Sequence, residues 1–389
     1  MVDSQRNKIG VAILGSTGSI GRSTLSVIKR HPDMFRVVAL AANNSVEDLA
    51  KQVEEHSVPK AIVVDSVALN GHKDLPGAEW QSGPDAILEV VSDSEVDVVV
   101  NAIVGSVGLR ATLASLESDK KLALANKESL VVGGPLVREQ LRKGKGELIP
   151  VDSEHSGIFQ CLKGEELEDV SKLILTASGG PFRTLNEKDL KMVTVEQALK
   201  HPTWTMGKKV TIDSATLANK ALEIIEAHFL FELDYEYISA VIHPQSIVHS
   251  FVEFLDGSVL SQLGFPTMEL PILYALTYPG RIPDRNLRTF DPSSLPDLDF
   301  EDIDDQQFPV FRLGVESGIR GGNTPTVFNA ANEIAVEAFL NRLITFTEMS
   351  VIVEETLSSS SMHEISSVDD VFEVDKSARE LAKEVVDLL

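Results

Sequence analysis

Lys8-Ile9-Gly10-Val11-Ala12-Ile13-Leu14-Gly15-Ser16-Thr17-Gly18-Ser19-Ile20-Gly21 is the stretch on which the fold turns. Residues 8–14 form an apolar, β-like run. A glycine-rich turn follows, then a helical pattern through Arg30 that His31-Pro32 stops. Glycines permit a tight turn and a close backbone approach to a ligand. The helix N-terminus offers free N–H groups and a positive dipole end to a pyrophosphate. The spacing is Gly-x-x-Gly-x-x-Gly, not the commoner Gly-x-Gly-x-x-Gly. It points to a dinucleotide, with a tight structural turn as the alternative.

Working outward, β-like runs at Phe35–Leu40, Ala61–Val64, Val96–Ala102, Leu122–Ala125 and Leu148–Val151 alternate with helical patterns, among them Val46–His56 and one from about Gly108. Alternation of this kind predicts a mostly parallel sheet covered on both faces, over residues 1–150. The second strand ends Leu40-Ala41-Ala42-Asn43-Asn44, without the acid that holds the ribose hydroxyls in NAD enzymes. An uncharged polar end favours NADP, whose 2′-phosphate an acid would repel.

The pattern changes after residue 150. Leu173–Ala177 reads as a strand and Leu217–Leu230 as a helix. Ala240–Phe254 alternates like one strand, with Asp256-Gly257 as a hairpin signal before Ser258–Leu263. Residues 279–309 carry five prolines and the acidic cluster Asp297, Asp299, Glu301, Asp302, Asp304 and Asp305, which is linker composition. Helical patterns follow at Phe311–Ile319, Val327–Leu340, Glu348–Leu357 and Lys376–Leu389, with Thr345 and Glu348 as a capping box.

The net charge of −24 over 389 residues argues against nucleic-acid or anionic-membrane partners, which need clustered Lys and Arg. No apolar run reaches the roughly 18 residues of a membrane span. The N-terminal residues 1–8 are polar and unlike a signal peptide, and the single cysteine, Cys161, excludes an internal disulfide. The expectation is a cytoplasmic protein.

Chemistry concentrates in a few segments. Asp152 and Glu154 flank Ser153 just after a strand; in an extended segment, residues two apart face one side, so both carboxylates would converge. An oxygen-only set selects Mg²⁺ or Mn²⁺ over Zn²⁺. The alternative is a cap for a helix over Gly157–Leu162. Asn219 and Glu223 share a helix face with Lys220 adjacent, against the alternative of a solvated amphipathic face. Ser178-Gly179-Gly180 after a strand suits an anion-binding nest, to which Ser214, Asn219 and Lys220 could add donors. Asn126-Lys127-Glu128 lies at the carboxyl end of a strand, where open α/β sheets bind ligands; a solvated loop fits it equally. His201–Gly207, bounded by Pro202 and Gly207, has the composition of a lid or of a packed connection. Cys161, in a helix beside Phe159, reads as a packing residue rather than a nucleophile.

In this order the segments Gly15–Gly21, Asn126-Lys127-Glu128, Asp152–Gln160, Ser178–Phe182, His201–Gly207, Asp213–Phe231, His243–Gly257 and Phe328-Asn329-Ala330-Ala331-Asn332-Glu333 resemble the 1-deoxy-D-xylulose 5-phosphate reductoisomerases over nearly the whole chain. The resemblance implies an α/β homodimer with a Rossmann-like NADPH-binding domain (1–150), an α+β catalytic, metal and dimerisation domain (151–280), a linker (281–309) and a small C-terminal helical domain (310–389). It implies Asp152, Glu154 and Glu223 as ligands of Mg²⁺ or Mn²⁺, with Co²⁺ also admissible. It gives the substrate, a phosphorylated ketose, to Lys127, Ser153, Glu154, Ser178, His201, Ser214, Asn219, Lys220 and Glu223, with Lys127, Glu154, His201 and Glu223 as the catalytic set. The cofactor falls to Thr17, Gly18, Ser19, Ile20, Ala42, Asn43, Asn44, Asn126, Glu128 and Gly207. Trp204 and Met206 fall on the family's flexible lid. Members often carry Gly at the position of Ala42 and a base at that of Asn43, so selection of NADP over NAD is expected to be weaker here; Ala221 replaces a frequent Gly. The implied reaction is skeletal rearrangement of 1-deoxy-D-xylulose 5-phosphate, then hydride delivery to give 2-C-methyl-D-erythritol 4-phosphate, in non-mevalonate isoprenoid biosynthesis. The alternatives are another NADP-linked dehydrogenase, of semialdehyde or homoserine type, and a non-enzymatic dinucleotide-sensing dimer.

Overall fold

A computed structural model describes residues 8–72, 74–204, 206–289, 293 and 295–389. The polar residues 1–7, Thr205 of the expected lid, and residues 290–292 and 294 of the expected linker lie outside the described residues. The chain forms two compact units. The first comprises residues 1–129, 137–152 and 267–288; the second comprises residues 130–136, 153–266 and 289–389.

In the first unit, β1 (Ile9–Leu14), β2 (Phe35–Ala42), β3 (Lys60–Val63), β4 (Glu79–Ser82), β5 (Val98–Asn101), β6 (Lys121–Leu124) and β7 (Glu147–Pro150) make a seven-stranded sheet in the order β4-β3-β2-β1-β5-β6-β7. Every pairing is parallel. Strands buried on both faces read as continuous apolar runs, and Val11–Leu14 and Val98–Val100 are buried accordingly. The order reverses beside β1, so the carboxyl end of β1, where Gly15 begins, is the switch point at which such sheets bind ligands. The short strand β4 did not stand out in the sequence, because Glu79-Trp80-Gln81-Ser82 is half exposed and lacks an apolar run.

In the second unit, β8 (Val170–Ala177), β9 (Ile238–Ile242), β10 (Val248–Phe254) and β11 (Val259–Leu263) form a four-stranded sheet in the order β11-β10-β8-β9. The β8–β9 pair is parallel and the other two are antiparallel. The expected single strand Ala240–Phe254 is two strands. His243-Pro244 breaks it, and the His243 ring fills the turn, where its Nε2 accepts the N–H groups of Ile247 and Val248 at 3.2 Å each. The Asp256-Gly257 hairpin is present, with Gly257 at φ +84°. Four helices, Pro309–Arg320, Thr324–Leu340, Glu348–Ser359 and Val368–Leu388, close the chain. The expected capping box is half made: the Thr345 N–H donates to Glu348 Oε2 at 2.6 Å.

Candidate active site

The glycine turn of the first unit is built by steric necessity. Gly15 has φ +85°, and a Cβ there would lie 2.4 Å from the Ala102 carbonyl oxygen. At Gly21 a Cβ would lie 2.4 Å from Ser16 Cα, so the helix Ser19–Arg30 can approach the turn only with glycine. Gly15 and Ser16 donate their N–H groups to Ala41 O at 2.9 Å, while Ser16 Oγ is turned inward onto Gln52 Oε1 at 2.8 Å. Gly18 and Ser19 are exposed, Thr17 and Ile20 are half-buried, and no side chain caps this helix. Its first-turn N–H groups are thus offered to an anion. Beside them, Ala42 is buried and Asn43 and Asn44 are exposed.

Asn126 and Glu128 are buried. The Asn126 amide donates to Ile103 O at 2.8 Å, to Gly105 O at 3.0 Å and to Glu128 Oε2 at 3.0 Å, so it shapes the loop after β5. Lys127 pairs with Asp152, the residue that ends the first unit.

The helix Ser153–Cys161 of the second unit begins four residues earlier than the sequence suggested. Glu154 therefore stands in a first helical turn, and the extended geometry expected for this segment does not hold. Ser153 Oγ donates to Glu154 Oε2 at 2.6 Å. Glu154 Oε1 accepts from Lys220 Nζ at 2.9 Å, and the same ammonium is paired with Glu223. Asn219 also donates to Glu223. Lys220 is 3% exposed and Glu223 1%. Burial works against the Lys220 charge, but Glu154 and Glu223 together outweigh it and hold its pKa above the ordinary lysine value. The two carboxylates, Glu223 buried and Glu154 partly so, offer oxygen ligands that suit a hard divalent cation.

His155 and Glu226 received no role from the sequence. His155 Nε2 donates to Glu223 O at 2.9 Å, and its Nδ1 lies 3.3 Å from Glu226 Oε2, with both side chains buried. Together they bind the helix Ser153–Cys161 to the helix Ala218–Phe231 at the level of Glu154 and Glu223. The signal was present: His155 follows Glu154, and Glu226 is one helical turn beyond Glu223.

A second polar group gathers at the end of β8. His201 Nε2 lies 2.9 Å from Ser178 Oγ and 3.1 Å from Ser214 Oγ. His201 Nδ1 accepts N–H bonds from Thr203 at 3.1 Å and Trp204 at 2.8 Å, which assigns the ring proton to Nε2. Burial lowers the His201 pKa to about 4, so the ring is a neutral N–H donor at physiological pH. Gly179 and Gly180 have φ of +80° and +65°, and a Cβ on Gly180 would lie 2.5 Å from Ser214 O. The two successive left-handed glycines turn the segment expected as an anion nest sharply against Ser214, and the Gly180 N–H reaches Ser178 Oγ at 3.4 Å. Trp204 and Met206 are half-buried, and exposed Gly207 precedes the helix Lys208–Thr216. Within that helix, buried Asp213 takes Lys209 Nζ at 2.9 Å and the Asn332 amide at 2.8 Å. This gives the Phe328–Glu333 segment a job: it steadies the helix that carries Ser214.

Cys161 ends a helix, and burial pushes its thiol up to about 11, so it is poorly suited to attack a carbonyl.

Three family models match in succession. They are described as 1-deoxy-D-xylulose 5-phosphate reductoisomerase over residues 11–134, that enzyme's C-terminal domain over 148–231, and DXP reductoisomerase C-terminal domain over 263–381. The protein is 48% identical over 379 residues to the 1-deoxy-D-xylulose 5-phosphate reductoisomerase of Pelodictyon phaeoclathratiforme, a match covering 97% of this chain and 99% of that one. It is 44% identical over 378 residues to the Bacillus cereus enzyme of that name, with coverage of 97% and 99%. Its structure is similar to that of the Zymomonas mobilis reductoisomerase in complex with NADPH (TM-score 0.89, 42% identity, 98% and 100% coverage). It is also similar to a DOX-P reductoisomerase in complex with NADPH, fosmidomycin and magnesium (TM-score 0.90, 38% identity, 98% coverage of both chains). Since matches of this identity span nearly the whole chain, and with it the glycine turn, the carboxylate cluster and the serine–histidine group, the chain belongs to the 1-deoxy-D-xylulose 5-phosphate reductoisomerase family.

Proposed function

We propose that this protein converts 1-deoxy-D-xylulose 5-phosphate to 2-C-methyl-D-erythritol 4-phosphate with NADPH and a divalent cation, Mg²⁺ or Mn²⁺. The observation that carries the reading is the Lys220 ammonium clamped between Glu154 and Glu223 and buried almost completely. Burying an ion pair and drawing a second, partly exposed carboxylate onto it is costly unless the site uses them, and the whole-length family match supplies the use.

Asp152, Glu154 and Glu223 are the residues we assign to the cation; when bound, it polarises the carbonyl and hydroxyl oxygens of the substrate as a Lewis acid. Lys220, Lys127 and Ser153 orient the reacting carbons from the protein side. Ser178, Ser214, Asn219 and neutral His201 take the phosphate, through hydroxyl, amide and imidazole donors that need no net positive charge. Binding energy from that remote group holds the reacting carbons in register, and Trp204 and Met206 exclude water above it. Thr17 to Ile20, Ala42 to Asn44, Asn126, Glu128 and Gly207 are assigned to NADPH. The uncapped helix after Gly18 supports its pyrophosphate end.

The protein works as a homodimer in the cytoplasm in this reading. The sheet edge at β11 supports dimerisation, since Leu255, Val259 and Leu260 there are 71%, 54% and 41% exposed. No helix among the described residues is long and apolar enough to cross a membrane.

The test is NADPH oxidation dependent on both the ketose phosphate and Mg²⁺ or Mn²⁺. Glu223→Gln is expected to lower turnover by about 10³-fold, the scale of losing a group that acts only in the transition state. Its NADPH affinity should be unchanged. Near-normal turnover in this variant would remove Glu223 from the metal site.

A further inference from the structure

The acidic, proline-rich stretch before the C-terminal helices is bonded to the loops of the second unit at several points. His243 Nδ1 donates to Asp299 O at 2.8 Å, and the Gln245 amide donates to Asp299 Oδ2 at 2.6 Å. Glu301 forms a two-bond bridge with Ile242 at 2.8 and 2.9 Å. Its carboxylate takes Arg183 Nη1 at 3.0 Å. Six residues later, the Gln307 amide nitrogen donates to three carbonyl oxygens of one turn: Phe182 at 3.2 Å, Arg183 at 3.1 Å and Leu185 at 3.0 Å.

Those carbonyls belong to the residues that directly follow Gly179-Gly180. The Leu185 N–H closes the turn onto Phe182 O at 2.9 Å, and since three carbonyl dipoles aimed at one point repel each other unless a donor stands there, the amide holds the remaining carbonyls in this shape. The turn is coupled to the nest through Gly179, where an added Cβ would lie 2.9 Å from Arg183 Cδ and from Ile242 Cγ2, and through Gly180, which rests on Ser214. The Arg183–Glu301 pair is half-exposed and contributes little. The amide is the stronger holding point.

We propose that Gln307 is a positioning residue for the phosphate end of the site. It holds the Phe182–Leu185 turn, and through it the Ser178–Gly180 nest, in the shape that receives a phosphate dianion. The proposal rests on the reading that Ser178, His201 and Ser214 take the substrate phosphate. Nothing in the segment's composition announces this role, because a glutamine that follows a run of acidic residues looks like solvated connection.

Gln307→Leu removes the donors at similar size, and Gln307→Glu replaces them with an acceptor. The measurements are KM and kcat for the ketose phosphate, the inhibition constant of inorganic phosphate as competitor, NADPH affinity and Tm. Both variants are expected to raise KM and the phosphate inhibition constant about tenfold, the effect of roughly one lost hydrogen-bond interaction. The kcat and NADPH affinity should stay within about twofold. Unchanged KM and phosphate inhibition overturn the proposal. So does a parallel loss of kcat, NADPH affinity and Tm, or failure of both variants to fold, because each assigns Gln307 to the fold at large. Ser178→Ala and Ser214→Ala separate the two levels. If they leave phosphate inhibition unchanged, the phosphate reading fails and the proposal with it. If they weaken it while the Gln307 variants do not, only the proposal fails.

Discussion

Lys220 shows how much one side chain can be asked to do. It is the cation that keeps Glu154 and Glu223 together, itself 3% exposed beside a Glu223 that is 1% exposed, and removing it leaves two carboxylates facing each other. Lys220→Met is expected to cost about 3–5 kcal/mol, the scale of a buried ion pair broken from one side. Saturating Mg²⁺ should return part of the loss, measured as the difference in Tm with and without the metal; a variant as stable as the parent would contradict the clamp. His249 makes a different residue-scale prediction. It is buried on β10, and burial first, then the nearby Lys220 and His243 charges, lower its pKa from 6.5 to about 4. Above pH 6.5 the ring is neutral in both folded and unfolded chains and adds no pH dependence. As pH falls from 6.5 to about 4, the unfolded chain binds the proton first, and stability is lost through that window. His249→Gln should flatten this part of the stability profile by up to roughly 3 kcal/mol, as read by urea unfolding at a series of pH values. An unchanged profile would assign the titration elsewhere.

At the scale of elements, the strand–turn–helix at Ile9–Arg30 is the piece whose sequence and structure agree most closely, because its glycines answer local steric demands. A Gly21→Ala methyl would meet backbone, not a movable side chain, at 2.4 Å. We expect it to cost about 1–3 kcal/mol and to weaken NADPH binding by about tenfold or more, with phosphate inhibition unaffected; fluorescence titration of NADPH checks this. The helix Ser153–Cys161 shows the converse. Ser-Glu-His-Ser-Gly has weak helical patterning, so the sequence placed its start at Gly157 and treated Asp152 and Glu154 as strand-like neighbours. What decides the matter is His155, whose Nε2 donates to Glu223 O and whose Nδ1 lies 3.3 Å from Glu226, both on a helix far along the chain. Similarly, periodicity alone ran Ala240–Phe254 together, and only the turn filled by the His243 ring divides it.

For the whole molecule, the net charge of −24 keeps polyanions away, so the proposed phosphate site must rely on local donors. Serine, asparagine and a neutral histidine suit that setting. The exposed apolar residues at the β11 edge are a surface argument for a second copy. Leu260→Lys is expected to shift the molar mass in solution toward the monomer, as seen by light scattering, without changing the NADPH affinity of the first unit; an unaltered mass would move the interface elsewhere.

The sequence by itself determined what local chemistry controls. It set the parallel sheet of the first unit, the glycine turn at its switch point, the four C-terminal helices and the identity of the residues with charge to spare. Those features depend on neighbours within a few positions, through backbone sterics and hydrophobic period. Tertiary structure alone decided which charges meet. It brought Lys220 between Glu154 and Glu223, put His201 between Ser178 and Ser214, and laid Gln307 against the turn after Gly180. These contacts join residues many positions apart, and a linear pattern carries no distance between them.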